Sequence, residues 1–189
     1  HLQVRSVYKV KNTVTLNQRA NYLAGKALMG LGYFLFKTGP LTMPPSQLGA
    51  FAKSDPSQSS ANIEWHVQPL SLEKFGDPLH TFNAITPSVC NLRPSSRGHV
   101  RIKSSNWHEY PSITMNYLST EDDRRVAIDG LRFTRRIMAA KALSRFEPEE
   151  WKPGPDFVHD EQLLQAAGDL GTTIFHPVGT CKMGKDNLA

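Results

Sequence analysis

Arg93-Pro94-Ser95-Ser96-Arg97-Gly98-His99-Val100-Arg101-Ile102-Lys103-Ser104 reads as a turn that feeds a strand. Ser-Arg-Gly after a proline is turn chemistry. Beyond it Val100 and Ile102 alternate with basic residues, the period of two that gives a strand one apolar face. After a spacer, Pro111-Ser112-Ile113-Thr114-Met115-Asn116-Tyr117-Leu118 supplies a further strand.

Working outward, the same period recurs upstream. His1-Leu2-Gln3-Val4 alternates briefly. Asn62 to Gln68 alternates cleanly, with Ile63, Trp65 and Val67 on one face and Glu64, His66 and Gln68 on the other. Thr81 to Cys90 reads as another strand, in which Pro87 predicts an edge or a bulge. Helical spacing appears from Asn17 to Lys37 through Ala20, Ala24, Ala27, Leu31 and Phe34, and Gly39-Pro40 stops it. This helix is expected to pack in the core; interfacial membrane contact is the other reading. Thr38 to Ser60, rich in Pro, Ser and Gly, is expected to be a loop. Thr120 opens a long helix with capping-box-like spacing to Asp123 and acids in its first turn. Its arginines are expected to face solvent or to pair with acids on the neighbouring sheet. Glu147 to Pro155 reads as a turn. Asp160 caps a short helix that Gly171 ends. The chain reads as an α+β fold, a mostly antiparallel sheet with helices packed on one side.

The bulk numbers bound the function. The chain has 189 residues, 39% hydrophobic and 21% charged, ordinary for a globular chain. Its formal charge of +5 is carried by scattered residues, which gives little support to nucleic-acid binding. Cys90 and Cys181 have no CxxC spacing and suggest no disulfide framework, so a reducing cytoplasm is the default location. No signal-peptide pattern opens the chain, and its most apolar run, Ala27 to Phe36, falls short of the ~20 residues a bilayer span needs. A start at His1 and an end just past a Gly-containing loop read as an internal piece of a longer protein.

That loop is Thr173-Ile174-Phe175-His176-Pro177-Val178-Gly179-Thr180-Cys181-Lys182-Met183-Gly184. A histidine on a rigid loop suits proton transfer or hydrogen bonding to a reacting oxygen, although many histidines are ordinary surface or core residues. His176, Cys181 and Met183 as soft metal ligands lack a second histidine or cysteine nearby, and no metal site is expected.

His-Pro-Val-Gly-Thr-Cys-Lys-Met-Gly resembles the C-terminal signature of the glucose–methanol–choline (GMC) flavoprotein oxidoreductases. The proline, Ser-Arg-Gly, alternating strand, second proline and Asn-Tyr-Leu of residues 94 to 118 resemble that family's substrate-domain signature. Asn106-Trp107 stands where many relatives carry Asp-Pro. The resemblance, choline-dehydrogenase-like in flavour, implies a substrate-binding domain over residues 1–171 and the start of a catalytic, flavin-contacting segment over 172–189. It implies a parent enzyme that oxidises a primary alcohol to an aldehyde by hydride transfer to flavin N5. His176 would be the base or the donor that stabilises the alkoxide. Phe175 would wall the reacting alcohol, and Pro177, Val178, Gly179 and Thr180 would approach the cofactor. Glu64 and His66 would touch substrate if their strand roofs the cavity; a solvated or structural face is the other reading. Arg97 is expected to anchor its turn.

No G-x-G-x-x-G turn occurs in the chain, so the FAD-binding domain is expected outside it, as is the family's second catalytic histidine or asparagine. FAD is expected in the parent and not on this piece alone, which would be inactive. The competing class is a binding or interaction module without catalysis, self-associating through the surface that the absent domain would cover. Peripheral membrane association of the parent is compatible with either class.

Overall fold

The computed structural model describes residues 1–180 and 182–185. In chain order its strands are β1 (Leu2–Arg5), β2 (Val7–Lys9), β3 (Leu48–Ala52), β4 (Ile63–Gln68), β5 (Ala84–Asn91), β6 (His99–Arg101), β7 (Ser112–Thr114), β8 (Glu149–Lys152) and β9 (Gly171–Thr173). The helices are α1 (Leu16–Asn21), α2 (Leu23–Phe36), α3 (Glu121–Met138) and α4 (Asp160–Leu170). Every strand pairing is antiparallel. The main sheet runs β3-β4-β5-β1-β9, with β2 also on β5 and β8 on β2. β6 and β7 pair with each other apart from it.

The alternation read in residues 62–68 sets the two faces of this sheet. Ile63 and Trp65 are buried at 0% and 2% exposure, and Val4 and Val89 join them from β1 and β5. Helix α3 covers this face with Val126, Ala127 and Leu131, and α4 adds Leu163 and Ala167. Trp65 gives its indole N–H to Thr134 Oγ1 at 2.8 Å, and Thr134 passes the interaction on to the Gly130 carbonyl at 2.8 Å. A buried indole N–H without such an acceptor would carry an uncompensated desolvation cost. A Cβ at Gly130 would stand 3.0 Å from Val89 Cγ2, so any larger residue would press Val89 aside or push α3 away from β5.

Several expectations are met in altered form. Residues 81–90 do contain a strand, but β5 is central and not an edge. Pro87 survives there because Ser6 N–H donates to the Pro87 carbonyl at 3.2 Å and the return bond is the one proline cannot make. The partner strand breaks at that point into β1 and β2. The helix expected over residues 17–37 is interrupted at Tyr22, whose backbone is extended (φ −107°, ψ 139°). Its second half, α2, buries no residue and so is no core helix. The loop expected over 38–60 contains β3, which pairs with Ile63 to Val67 of β4. The turn expected over 147–155 contains β8. The N-cap of α4 is His159, one residue before the expected Asp160: Gln162 Oε1 accepts from His159 N–H at 3.0 Å, while Asp160 opens the helix and pairs with Arg132 of α3.

Two charged residues tie α3 to its surroundings. At its start Thr120 Oγ1 accepts from Asp123 N–H, as the spacing predicted. The Asp123 carboxylate then turns away and accepts from Ser95 N–H at 2.9 Å and Ser96 N–H at 3.0 Å, pinning the Ser-Arg-Gly turn. Near its end Arg135 meets Glu150 of β8 in a two-point contact at 2.8 and 2.9 Å. This is the arginine-to-sheet pairing anticipated for the helix. Arg97 lies exposed and donates to the Pro94 and Ser96 carbonyls, the anchoring role expected of it.

Three substitutions test this packing. Gly130→Val should lower the unfolding free energy by about 2–3 kcal/mol through overpacking against Val89. Gly168→Ala, in open space on α4, should raise it by up to about 1 kcal/mol. Urea denaturation of both variants distinguishes a tight helix–sheet contact from a loose one. Desolvation raises the Asp123 pKa, but the hydrogen bonds from Ser95 and Ser96 together outweigh it and hold the carboxyl below its usual value. The resulting stabilisation is complete above the ordinary carboxylate pKa and is lost as pH falls below about 4. Asp123→Asn should cost about 2 kcal/mol at pH 7 and flatten that acid limb.

Candidate functional site

The face of the sheet turned away from α3 carries the polar side chains. Directly opposed residues in an antiparallel sheet share a face. Thr172, Gln3, Cys90 and Glu64 therefore form one row across β9, β1, β5 and β4. Arg5, Ser88 and His66 form the next. Gln3, Arg5, Ser88 and Cys90 are buried on this side. The Cys90 thiol is pushed up to about 11, first by burial and then by the Glu64 charge, so it is a poor nucleophile at neutral pH.

A loop over residues 69–83 folds across part of this face. Its anchor is Asn17, fully buried at the start of the chain's helical region. Asn17 Nδ2 donates to the Ser71 and His80 carbonyls at 2.9 and 2.8 Å, and Asn17 Oδ1 accepts from Ser71 N–H at 2.8 Å. His80 stacks on Phe82 and packs edge-on to Trp151. Farther along, Arg5 donates to the Leu72 carbonyl at 3.2 Å and its guanidinium lies 5.4 Å from the Phe75 ring. Burial draws the Arg5 guanidinium below its usual value, with the Glu73 charge acting the other way.

Phe75 is what connects this loop to the histidine segment. Its ring meets Phe175 edge to face with centroids 5.6 Å apart. Phe175 lies two residues past the end of β9 and adopts a left-handed backbone (φ 63°), held by its N–H on Thr173 Oγ1 at 3.1 Å. That conformation is uncommon for a residue with a Cβ. It turns the chain out of the sheet, so His176, Pro177, Val178, Gly179 and Thr180 are all exposed. Among the described residues none hydrogen-bonds with His176 or Thr180. Gly179 takes φ 84° with open space where a Cβ would stand. Cys181, the remaining heteroatom of the motif core, lies outside the described residues.

Glu64 and His66 sit elsewhere on the same face. His66 Nε2 approaches Glu64 Oε1 to 3.0 Å. The approach lacks hydrogen-bond geometry, and Nε2, shielded from solvent, has no hydrogen-bond partner among the described residues. Gly49 stands opposite His66 on β3, leaving no side chain there. Three strand spacings of about 4.8 Å separate β4 from β9, so this pair lies roughly 14 Å from the row's end at Thr172. The sequence-selected residues thus form two groups on one face, Phe175 with His176 and Glu64 with His66, that do not touch. Arg5 and Phe75, which pack behind Phe175, carry no motif in the sequence. Their only signal is Arg5 falling on the polar side of an alternating strand.

Comparison with known proteins bears on this arrangement. Residues 94–189 match the family model described as GMC oxidoreductase. An alcohol dehydrogenase [acceptor] of Pseudomonas putida is 35% identical over 162 residues, 85% of this chain and 29% of its own length. An oxygen-dependent choline dehydrogenase of Proteus mirabilis is 33% identical over all 189 residues, 34% of its own length. The chain therefore spans about a third of the length of these curated relatives. Among solved structures, a formate oxidase superposes with a TM-score of 0.80 at 19% identity, over 95% of this chain and 36% of that one. A pyridoxine 4-oxidase from Mesorbium loti does so at 0.76 and 22% identity, over 100% and 33%. At such identities the superpositions speak for the fold.

Phe75→Ala removes the ring that both Phe175 and Arg5 contact, interactions together worth about 1–1.5 kcal/mol. Amide hydrogen exchange at Thr173 to Phe175 should then quicken roughly tenfold, with the core amides of β5 unchanged. Equal protection in both proteins would show that Phe75 does not hold the segment.

Proposed function

Because the chain belongs to the GMC oxidoreductase family, we propose that it is the substrate-binding domain and the start of the catalytic segment of an FAD-dependent enzyme. That enzyme oxidises a primary alcohol, choline-like or other, to an aldehyde. The observation that carries this reading is the placement of His176. It stands just past the end of β9, exposed, beside the polar face of the sheet and preceded by an aromatic ring that is held in place.

The residues of the segment suit a planar cofactor. Val178 is 80% exposed and Gly179 presents bare backbone at φ 84°, so a flat ring system can approach the main chain closely. Pro177, Val178, Gly179 and Thr180 would hold it. FAD, when bound there, supplies the two-electron acceptor. The chain's own part is proton handling and positioning. A neutral His176 imidazole can accept the hydroxyl proton of the alcohol; an imidazolium can donate to the oxygen as it gains charge. Phe175 offers its exposed face as a wall for the carbinol end. Glu64 and His66, roughly 14 Å along the face, suit the far end of a longer substrate or its approach path.

A second reading, a binding module without catalysis, draws on the exposed apolar side chains of α2. The two separate in the full-length protein. Its flavin absorbance, followed anaerobically against a panel of alcohols, should bleach with at least one of them. His176→Ala should slow bleaching by about 10²–10⁴-fold with flavin still bound. A full-length protein without flavin, or equal bleaching without His176, removes the catalytic assignment and leaves the binding module.

A further inference from the structure

The apolar surface of this chain is concentrated on α2, which the oxidoreductase reading does not use. None of its fourteen residues is buried. Leu23, Leu28, Leu31, Phe34, Leu35 and Phe36 are between 54% and 85% exposed. The helix packs mainly on α1 and on the 3-10 turn Pro40–Thr42, not on the sheet. A helix apolar on all sides is normally enclosed by something. At about 21 Å long it falls short of the ~30 Å hydrocarbon core. Among the described residues no helix is long and apolar enough to cross a membrane.

Charge narrows what encloses it. Residues 1–54 contain no aspartate or glutamate, while Arg19, Lys26 and Lys37 lie on and beside α2. Lys37 Nζ rests 5.0 Å from the Tyr33 ring and 5.6 Å from the Phe34 ring at the helix end. Tyr22 and Tyr33 add amphipathic rings, 66% and 42% exposed. A second copy of this surface would set these cations against their own images. An anionic lipid surface satisfies both features at once: acyl chains take the leucines and phenylalanines, and headgroup phosphates take the ammonium and guanidinium groups.

We propose that α2 is a membrane-docking element that lies in the plane of an anionic bilayer. Leu28, Leu31, Phe34 and Leu35, which share one face of the helix, enter the acyl boundary, while Arg19, Lys26 and Lys37 contact phosphates. The enzyme would then be held at the bilayer surface without spanning it.

The test uses the full-length protein with its flavin and does not depend on any substrate. It is sedimented with vesicles of phosphatidylcholine, alone or mixed with phosphatidylglycerol. Binding to the mixed vesicles should be at least tenfold stronger and should weaken as salt is raised. The pair Leu31→Glu with Phe34→Glu should lose it at least tenfold, with flavin content kept. The gentler pair Lys26→Gln with Lys37→Gln should remove most of the preference for phosphatidylglycerol. Wild-type protein that stays in the supernatant with mixed vesicles overturns the proposal, as does binding unaffected by either pair. Loss of flavin or of folding in the glutamate pair, with no vesicle binding by wild type, would show that the rest of the parent chain covers α2. A dimer dissolved by that pair, again with no vesicle binding, would give the face to a second copy.

Discussion

A hydrogen atom in place of a methyl group at Gly130 lets α3 rest against the centre of the sheet. The space is set by Val89, which a Cβ there would approach to 3.0 Å. Much else depends on this closeness. It brings Thr134 within 2.8 Å of the Trp65 indole, so the largest fully buried side chain is also hydrogen-bonded. It sets Asp123 at one end of the helix over the Ser95–Ser96 turn and Arg135 at the other end over β8. A single helix thus joins the sheet's middle, the turn that opens the β6–β7 pair, and the far edge strand. The apolar area it covers supplies the favourable free energy, and the charged groups at its ends define where it stops.

Commitment of one face to α3 has a consequence for the other. With period two, every residue between two core positions points the opposite way. Gln3, Arg5, Glu64, His66 and Cys90 are placed together by register alone, though they come from three strands far apart in sequence. The 69–83 loop, anchored by Asn17, then closes over part of this face and supplies Phe75 as a backstop for Phe175. The histidine segment gains its direction from that stack and from the left-handed turn at Phe175, not from burial of the histidine itself.

Helix α2 shows where local pattern misleads. Apolar residues at helical spacing predicted the helix, and a helix is there after the break at Tyr22. The same residues predicted core packing, which does not occur. Periodicity reports which side of a helix is apolar, whereas what covers that side depends on elements whose placement the pattern does not contain. Pro87 misled for a related reason. Proline excludes one hydrogen bond, and a central strand tolerates it where the neighbouring strand itself breaks, here at Ser6.

From the sequence alone came the α+β class, the faces of β4, the long helix with its Thr120 cap, and the family signatures at residues 94–118 and 173–184. These are local quantities: alternation, capping spacing and motif identity are written in neighbouring residues. Tertiary structure alone decided that β5 is central, that Asp123 reaches back to Ser95 and Ser96, and that Arg5 and Phe75 stand behind Phe175. It also decided that Glu64 with His66 and Phe175 with His176 occupy separate parts of one face. Each of these rests on a contact between residues tens of positions apart. Such contacts are fixed by strand register and by how closely a helix can approach the sheet, which no short stretch of sequence encodes.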